Sequence, residues 1–249
     1  MSGHSKWSTI KRKKAQVDTK KAKVFNKVIR ELTVAAREGG GDPEANPRLR
    51  VAIDNSRAVN MPHDNVDRAI KKGTGELPGA HYESSVYEGY GPGGIAIYIE
   101  VLTDNRNRTV AEVRHIMDRN GGRLGENGCV AWMFRQKGQI FVDRNRYNED
   151  AILDIALECG AEDVLVEDEY FIIVTSSHDF MAVKERLGAK GISFKDSELS
   201  MVPSTMVKVE DRDAEKVLRL MEALEDHDDI QRVSSNFDID EEIIRKLGS

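Results

Sequence analysis

The sequence predicts an α+β protein: an N-terminal three-helix unit, then two ferredoxin-like or split β-α-β domains, one inserted in the other. Three observations carry this. Apolar residues recur at helical spacing through residues 20–73. After a Gly- and Pro-containing linker, Gly73 to Gly79, the period switches to strands alternating with helices. Residues 137–203 then read β-α-β-β-α-β, the ferredoxin-like order, with one β-α-β on either side. Each flanking β-α-β leaves a sheet edge uncovered unless the two pair with each other.

In the helical unit, Val24, Phe25, Val28, Ile29, Leu32, Ala35 and Ala36 mark a first helix that Gly39-Gly40-Gly41 stops. Asn46-Pro47 reads as an N-cap with proline at the first helical position. Leu49, Ala52, Ile53 and Val59 give the second apolar stripe. Pro62 opens a third helix, with Val66, Ala69 and Ile70 inward and Gly73 as terminator. The join Asn60-Met61-Pro62 fits a Gly-containing helix-turn-helix poorly.

Beyond the linker, Ile95–Leu102 and Cys129–Arg135 read as strands around a helix at Arg108–Asp118, with Gly121–Gly128 as a loop. Strands are expected at Gln139–Val142, Val164–Val166, Tyr170–Thr175 and Ile192–Val202, and helices at Asn148–Cys159 and Phe180–Leu187. Met206–Val209, Ala214–Leu224 and Ile230–Ser234 form the last β-α-β. The expected organisation is a basic arm plus three-helix domain (1–79), a discontinuous domain (80–136 with 204–240), an inserted domain (137–203) and a tail (241–249).

The net charge of −6 hides an asymmetry. Residues 1–75 carry 17 Lys+Arg against 8 Asp+Glu, and the remainder carries 20 against 35. Such a split points to an anionic partner for the basic part. Lys6, Lys11, Arg12, Lys13, Lys14, Lys20, Lys21 and Lys23 form a strip suited to displacing counterions from phosphates. Trp7 is placed to stack on an unpaired base. Arg48, Arg50, Arg57, Arg68, Lys71 and Lys72 extend the positive surface over the helical unit.

Other chemistries find little footing. Gly89-Tyr90-Gly91-Pro92-Gly93-Gly94 matches GxGxxG, but it precedes a strand where a dinucleotide site needs it to open a helix. A tight interdomain turn is the expectation. The six histidines make no HExxH pair, and neither a GxSxG nor a P-loop is present. No catalytic set, metal site or cofactor is expected. Cys129 reads as a small hydrophobe in a strand. The acidic run Glu222, Glu225, Asp226, Asp228 and Asp229 lacks EF-hand spacing and reads as a solvated helix end. Leu102–Thr109 reads as a strand running into a helix N-terminus, with Asp104, Asn105 and Asn107 as caps. Arg106 and Arg108 there are candidate anion contacts, in a cleft shared with the Gly-rich turn. Two cysteines without CxxC, no apolar run of ~18 residues and no secretory h-region lead to the expectation of a cytoplasmic protein with no membrane partner.

Several of these stretches together resemble the YebC/PmpR family: Gly3-His4-Ser5-Lys6-Trp7, Asn60-Met61-Pro62 with Asp64-Asn65-Val66, and Arg68-Ala69-Ile70-Lys71-Lys72-Gly73. Tyr87 to Gly94, Leu102 to Thr109 and Met133-Phe134 belong to the same resemblance. The resemblance implies a three-domain cytoplasmic protein described as a probable DNA-binding transcriptional regulator. It also implies an alternative partner, the ribosome or its RNA. Mitochondrial relatives activate translation, and some bacterial members resemble ribosome-associated factors that relieve stalling at proline runs.

Overall fold

The computed structural model describes residues 18–167, 169–240 and Ile243, with the side chains of residues 18–21 and of Asp211 excepted. Helix α1 spans Asp18–Gly39, α2 Pro47–Ala58 and α3 His63–Thr74. Asn46 caps α2 as its spacing predicts, accepting from the Leu49 N–H at 3.0 Å. Its amide also donates to Ala35 and Gly40 carbonyls, tying the end of α1 to the start of α2. Asn60 takes the left-handed backbone (φ 54°) between α2 and α3, a conformation asparagine tolerates better than most residues. Leu32, Ala35, Leu49, Ala52, Met61 and Ala69 close the core of this unit.

Gly73 does not end α3. Thr74 ends it, and Gly75 (φ 86°) is the left-handed cap. Gly73 is instead the crossing point of α1 and α3: a Cβ there would lie 2.4 Å from the Thr33 carbonyl oxygen and 2.8 Å from Ala36 Cβ. Helix-end and helix-contact glycines look alike in sequence, because both meanings use the missing side chain.

Strands β1 (Glu83–Tyr90) and β2 (Ala96–Thr103), helix α4 (Arg106–Arg119) and the short β3 (Arg123–Leu124) follow. Strand β4 is Phe134–Asp143, helix α5 Glu149–Glu158, β5 Asp163–Val166, β6 Tyr170–Ser176, helix α6 Phe180–Ala189 and β7 Phe194–Pro203. Strand β8 (Val207–Lys208), helix α7 (Asp211–Glu225), β9 (Ile230–Ser235) and β10 (Phe237–Asp238) complete the described chain. One sheet has the order β3-β1-β2-β9 and the other β5-β6-β4-β7, the ferredoxin-like arrangement. Both are antiparallel throughout. Helices α4 and α7 supply Val113, Met117, Val217, Leu220 and Met221 to a core against Ile97, Ile99 and Val101 of β2. In the second sheet Ile140, Phe171, Ile173, Ile152, Phe180 and Val183 do the same.

Three expectations about strands are corrected. The Gly-rich stretch is a hairpin turn within one sheet, because Glu83–Tyr90 is itself a strand paired residue by residue with β2. Gly93 (φ 71°) and Gly94 (φ 77°) supply the turn. Cys129–Arg135 is not one strand: Ala131–Met133 is a 3-10 turn, and the partner of β2 across α4 is β3. Strands β2 and β3 flank β1, so the unit is a split β-α-β. Finally, β8 does not join the sheet that holds β9. It pairs in parallel with β10, which the chain reaches after turning at Asn236; the Asn236 side chain accepts from the Ala96 N–H at 2.7 Å.

Two outcomes test these assignments. Gly73→Ala should destabilise by about 1–2 kcal/mol in urea unfolding, the overpacking at a backbone oxygen outweighing the gain in helix propensity. Residues 137–203 are expected to be an insertion, and β4 and β7 stay paired from Lys137↔Ser200 to Phe134↔Pro203. Joining Lys137 to Ser200 through Asn-Gly should therefore leave a remainder that unfolds cooperatively and keeps near-ultraviolet circular dichroism. A molten product would reject the insertion.

Candidate nucleic-acid interface

The basic residues divide into two groups according to whether a carboxylate or a carbonyl already holds them. Helix α1 docks on the end of α7. Lys27 Nζ donates to the Glu225 carbonyl at 2.7 Å and Lys23 Nζ to the Asp226 carbonyl at 3.1 Å. These are the exposed carbonyls of a helix C-terminus, where cations are favoured. In the acidic run, Glu222, Asp226 and Asp228 are exposed, as a solvated helix end expects, but the helix-end carbonyls and the buried Asp229 make the same segment a docking face.

Asp229 anchors that face. It is 3% exposed. Its carboxylate meets Arg30 Nη1 at 2.5 Å and Arg108 Nη2 at 2.7 Å, and accepts from the hydroxyls of Thr109 at 2.6 Å and Thr103 at 3.1 Å. Burial opposes the charge, yet the hydrogen bonds from Thr109, Arg108 and Arg30 outweigh it and hold the carboxyl well below the usual range. The backbone joins in: Leu102 N–H donates to the Asp229 carbonyl at 2.9 Å. Arg108 also pairs with Asp104 at 2.9 Å. It is therefore committed to the fold and is not a free anion contact.

Asn105 caps α4 by accepting from the Arg108 N–H at 3.1 Å, as expected of that strand-to-helix junction. Arg106 is exposed and has no carboxylate partner among the described residues. The expected shared cleft does not form. The Gly-rich turn precedes β2 and Arg106 follows it, so the two stand at opposite ends of an eight-residue strand, about 25 Å apart.

Glu112, His227 and Asp229 bring ligand-type atoms within 4.8 Å of one another. They do not suit a cation. Two guanidinium groups already occupy Asp229. His227 Nδ1 accepts from the Asp229 N–H at 3.1 Å, and its Nε2 faces Glu112 at 2.8 Å.

On the helical unit, Arg48 pairs with Glu31 at 2.8 Å and with Glu38. Arg50 donates to the Pro43 and Glu44 carbonyls. Arg57, exposed in the last turn of α2, pairs with Asp54 at 3.3 Å. Arg68, Lys71 and Lys72 are exposed along α3, and none has a carboxylate partner among the described residues. A groove of ≈ 690 Å³ beside them is lined by Arg57, His63 and Lys71 but also by Asp42, Asp67 and Glu76, so it is no anion pocket in itself. Lys6, Trp7, Lys11, Arg12, Lys13 and Lys14 lie outside the described residues, as do the side chains of Lys20 and Lys21.

Trp132 was not legible as a surface residue. It stands in the 3-10 turn and is 65% exposed. Reading 129–135 as a strand hid it. The available signal was Glu88, a carboxylate between Tyr87 and Gly89-Tyr90-Gly91, which turns inward to bind the loop amides.

A helical unit that presents free cations, docked on two α+β units, defines the class of protein. Residues 5–76 match the model for the TACO1/YebC protein N-terminal domain, and residues 82–237 that for the TACO1/YebC second and third domain. The chain belongs to the TACO1/YebC family. It is 56% identical over 250 residues to a "Probable transcriptional regulatory protein" of Halothermothrix orenii, covering 99% of each chain. A protein of the same description from Desulfotalea psychrophila is 56% identical over 248 residues, covering 99% of each. The crystal structure of a conserved hypothetical protein from Aquifex aeolicus has a TM-score of 0.86 at 46% identity, covering 92% of this chain and 95% of that one.

Asp229→Asn should cost about 3 kcal/mol at neutral pH, the scale of leaving a buried ion pair without one partner. Because the folded carboxyl titrates below its unfolded value, its contribution is complete above the ordinary pKa of ~3.9 and is lost as pH falls. The stability gap between parent and variant, measured by denaturant unfolding from pH 7 downward, should be constant above about pH 5 and narrow progressively as pH falls below about 4.

Proposed function

We infer that this chain is a non-enzymatic, cytoplasmic nucleic-acid-binding regulator of gene expression, in the first reading a DNA-binding transcriptional regulator. The observation that carries this is the division of its cations. Lys23, Lys27, Arg30 and Arg108 are held by the fold, while Arg68, Lys71 and Lys72 stand exposed on α3 of the unit whose N-terminal extension carries the arm. Counterion release makes such a face attractive to any phosphate backbone. The relatives' description as transcriptional regulatory proteins supports the same reading. Two free cysteines and the lack, among the described residues, of a helix long and apolar enough to cross a membrane are consistent with the compartment.

A second reading is a ribosome-associated, RNA-binding translation factor. The balance of 20 Lys+Arg against 35 Asp+Glu outside residues 1–75 favours contact through one end over wrapping of a duplex. That geometry also suits a large particle. Crosslinking in cells with joint sequencing of DNA and RNA separates the two: discrete promoters support the first, ribosomal RNA the second.

Salt titrations test the interface itself. Replacing Arg68, Lys71 and Lys72 with Ala should lower the slope of log affinity against log salt by ~2–3 on duplex DNA, at ~0.9 per phosphate contact. Replacing Lys11, Arg12, Lys13 and Lys14 should lower it by ~3 or slightly more. Thermal stability should change little in both, by ~0.5 kcal/mol per exposed site or less. Parent slopes in both variants, on duplex, single strand and ribosomal RNA, would reject this surface.

A further inference from the structure

Most large apolar side chains of the described residues are buried or half-buried, and Trp132 is the most exposed exception at 65%. Its position is built rather than loose. Glu88 is 6% exposed, and its carboxylate accepts three backbone N–H groups, from Gly128 at 2.7 Å, Val130 at 2.8 Å and Ala131 at 2.7 Å. A carboxylate accepting three amides is a strong, directional clamp. It fixes the turn on which the indole stands. Below the turn, Val130 and Phe134 are buried against Ala96, with Tyr98 and Met201 alongside.

The indole itself is oriented by that turn. Trp132 Nε1 donates to the Cys129 carbonyl at 3.1 Å, and the Tyr90 hydroxyl donates to the same oxygen at 3.1 Å. The only polar atom of the ring is thereby satisfied, leaving an exposed π surface with no hydrogen bond of its own to offer. Such a surface in a fixed orientation loses little entropy when something flat is laid on it.

The surroundings select the occupant. Arg135 Nη1 lies 3.4 Å from the Trp132 carbonyl oxygen. Arg123 stands over the Tyr90 ring, 5.9 Å from its centroid. Neither guanidinium has a carboxylate partner among the described residues. An aromatic plane with cations that no carboxylate neutralises, one on its own turn and one over the neighbouring Tyr90, is complementary to a base on a phosphate backbone, and an unpaired base exposes the face that a duplex stacks away. Glu126 is the exposed carboxylate of the same loop, and one negative group does not cancel the pair.

We propose that Trp132, on the turn held by Glu88, with Arg135 on the same turn and Arg123 over the neighbouring Tyr90, is a stacking site for an unpaired base of single-stranded nucleic acid. This rests on the nucleic-acid reading above and adds a second contact on a different unit from the α3 face. It makes single-stranded segments a ligand class distinct from duplex.

The chain has two tryptophans, so Trp7→Phe leaves Trp132 as the sole indole reporter. Emission would be titrated in that background with a single strand of roughly 12 nucleotides, as RNA and as DNA, and with the matching duplex. Affinities would be measured in the otherwise native chain. Single strands should quench Trp132, and duplex should bind without quenching it. Trp132→Ala should weaken single-strand binding about 5- to 150-fold, the equivalent of one base stack, and leave duplex binding unchanged. Trp132→Phe should restore most of the loss. Quenching by RNA alone or DNA alone supports the proposal and identifies the polymer.

Undiminished single-strand binding by Trp132→Ala, with unquenched emission, overturns the stacking site while duplex binding keeps the parent reading intact. Failure of all three polymers to bind at low salt defeats both. An emission shift that follows protein concentration without nucleic acid assigns the surface to a second copy of the chain and overturns the proposal.

Discussion

The arrangement of the units depends on one buried carboxylate. Asp229 sits just after the end of α7, and four side chains from α1, the end of β2 and the start of α4 converge on it. A lone carboxylate in that position would cost several kcal/mol to desolvate. Here it is compensated by two guanidinium groups and two hydroxyls, and the compensation comes from segments that are far apart in the chain. The orientation of the helical unit against the first sheet follows. Arg30 can reach Asp229 only when α1 lies across the C-terminus of α7, and in that pose Lys23 and Lys27 meet the α7 carbonyls. The other side of the helical unit is held more lightly, by Lys184 to Asp54 at 2.8 Å and by Val51 against the ferredoxin-like core.

This docking explains why a basic N-terminal third does not translate into a uniformly basic surface. Cations that neutralise Asp229 and cap α7 are engaged by those contacts, and Arg48 is taken up by Glu31 and Glu38. The seam between the two sheets consumes charge in the same way. Arg232 lies between Glu198 at 3.5 Å and Glu100 at 3.8 Å. Burial raises the Glu100 carboxyl above its usual range even as Arg232 pulls it down. The cations left exposed on α3, Arg68, Lys71 and Lys72, are those the fold has no use for, and they are the natural place to look for a phosphate partner.

A second carboxylate, Glu88, plays a local version of the role of Asp229. It organises backbone amides instead of guanidinium groups, and so shapes a turn instead of a domain contact. The consequence is a change of direction between the two sheets that leaves Trp132 outward and Phe134 inward, two residues apart. Strand alternation would have put them on the same side.

Local patterning in the sequence determined much of this protein. The apolar stripes of α1 to α3, the Asn46-Pro47 start of α2, the Asn105 cap of α4 and the β-α-β-β-α-β order were all legible, because each depends on neighbours within a turn or two of chain. So was the charge asymmetry, a property of composition. Tertiary structure alone decided the rest. Strand β1, whose last two residues open the Gly-rich motif, was missed because its pairing with β2 is a register, not a composition. Gly73 as a helix crossing depends on Thr33, forty positions earlier. Whether Arg108 is free or committed depends on Asp229, 121 positions later. A charged side chain carries the same sign wherever it lies, but its availability to a partner is set by the opposite charge that folding brings beside it, and no local pattern in the chain records that.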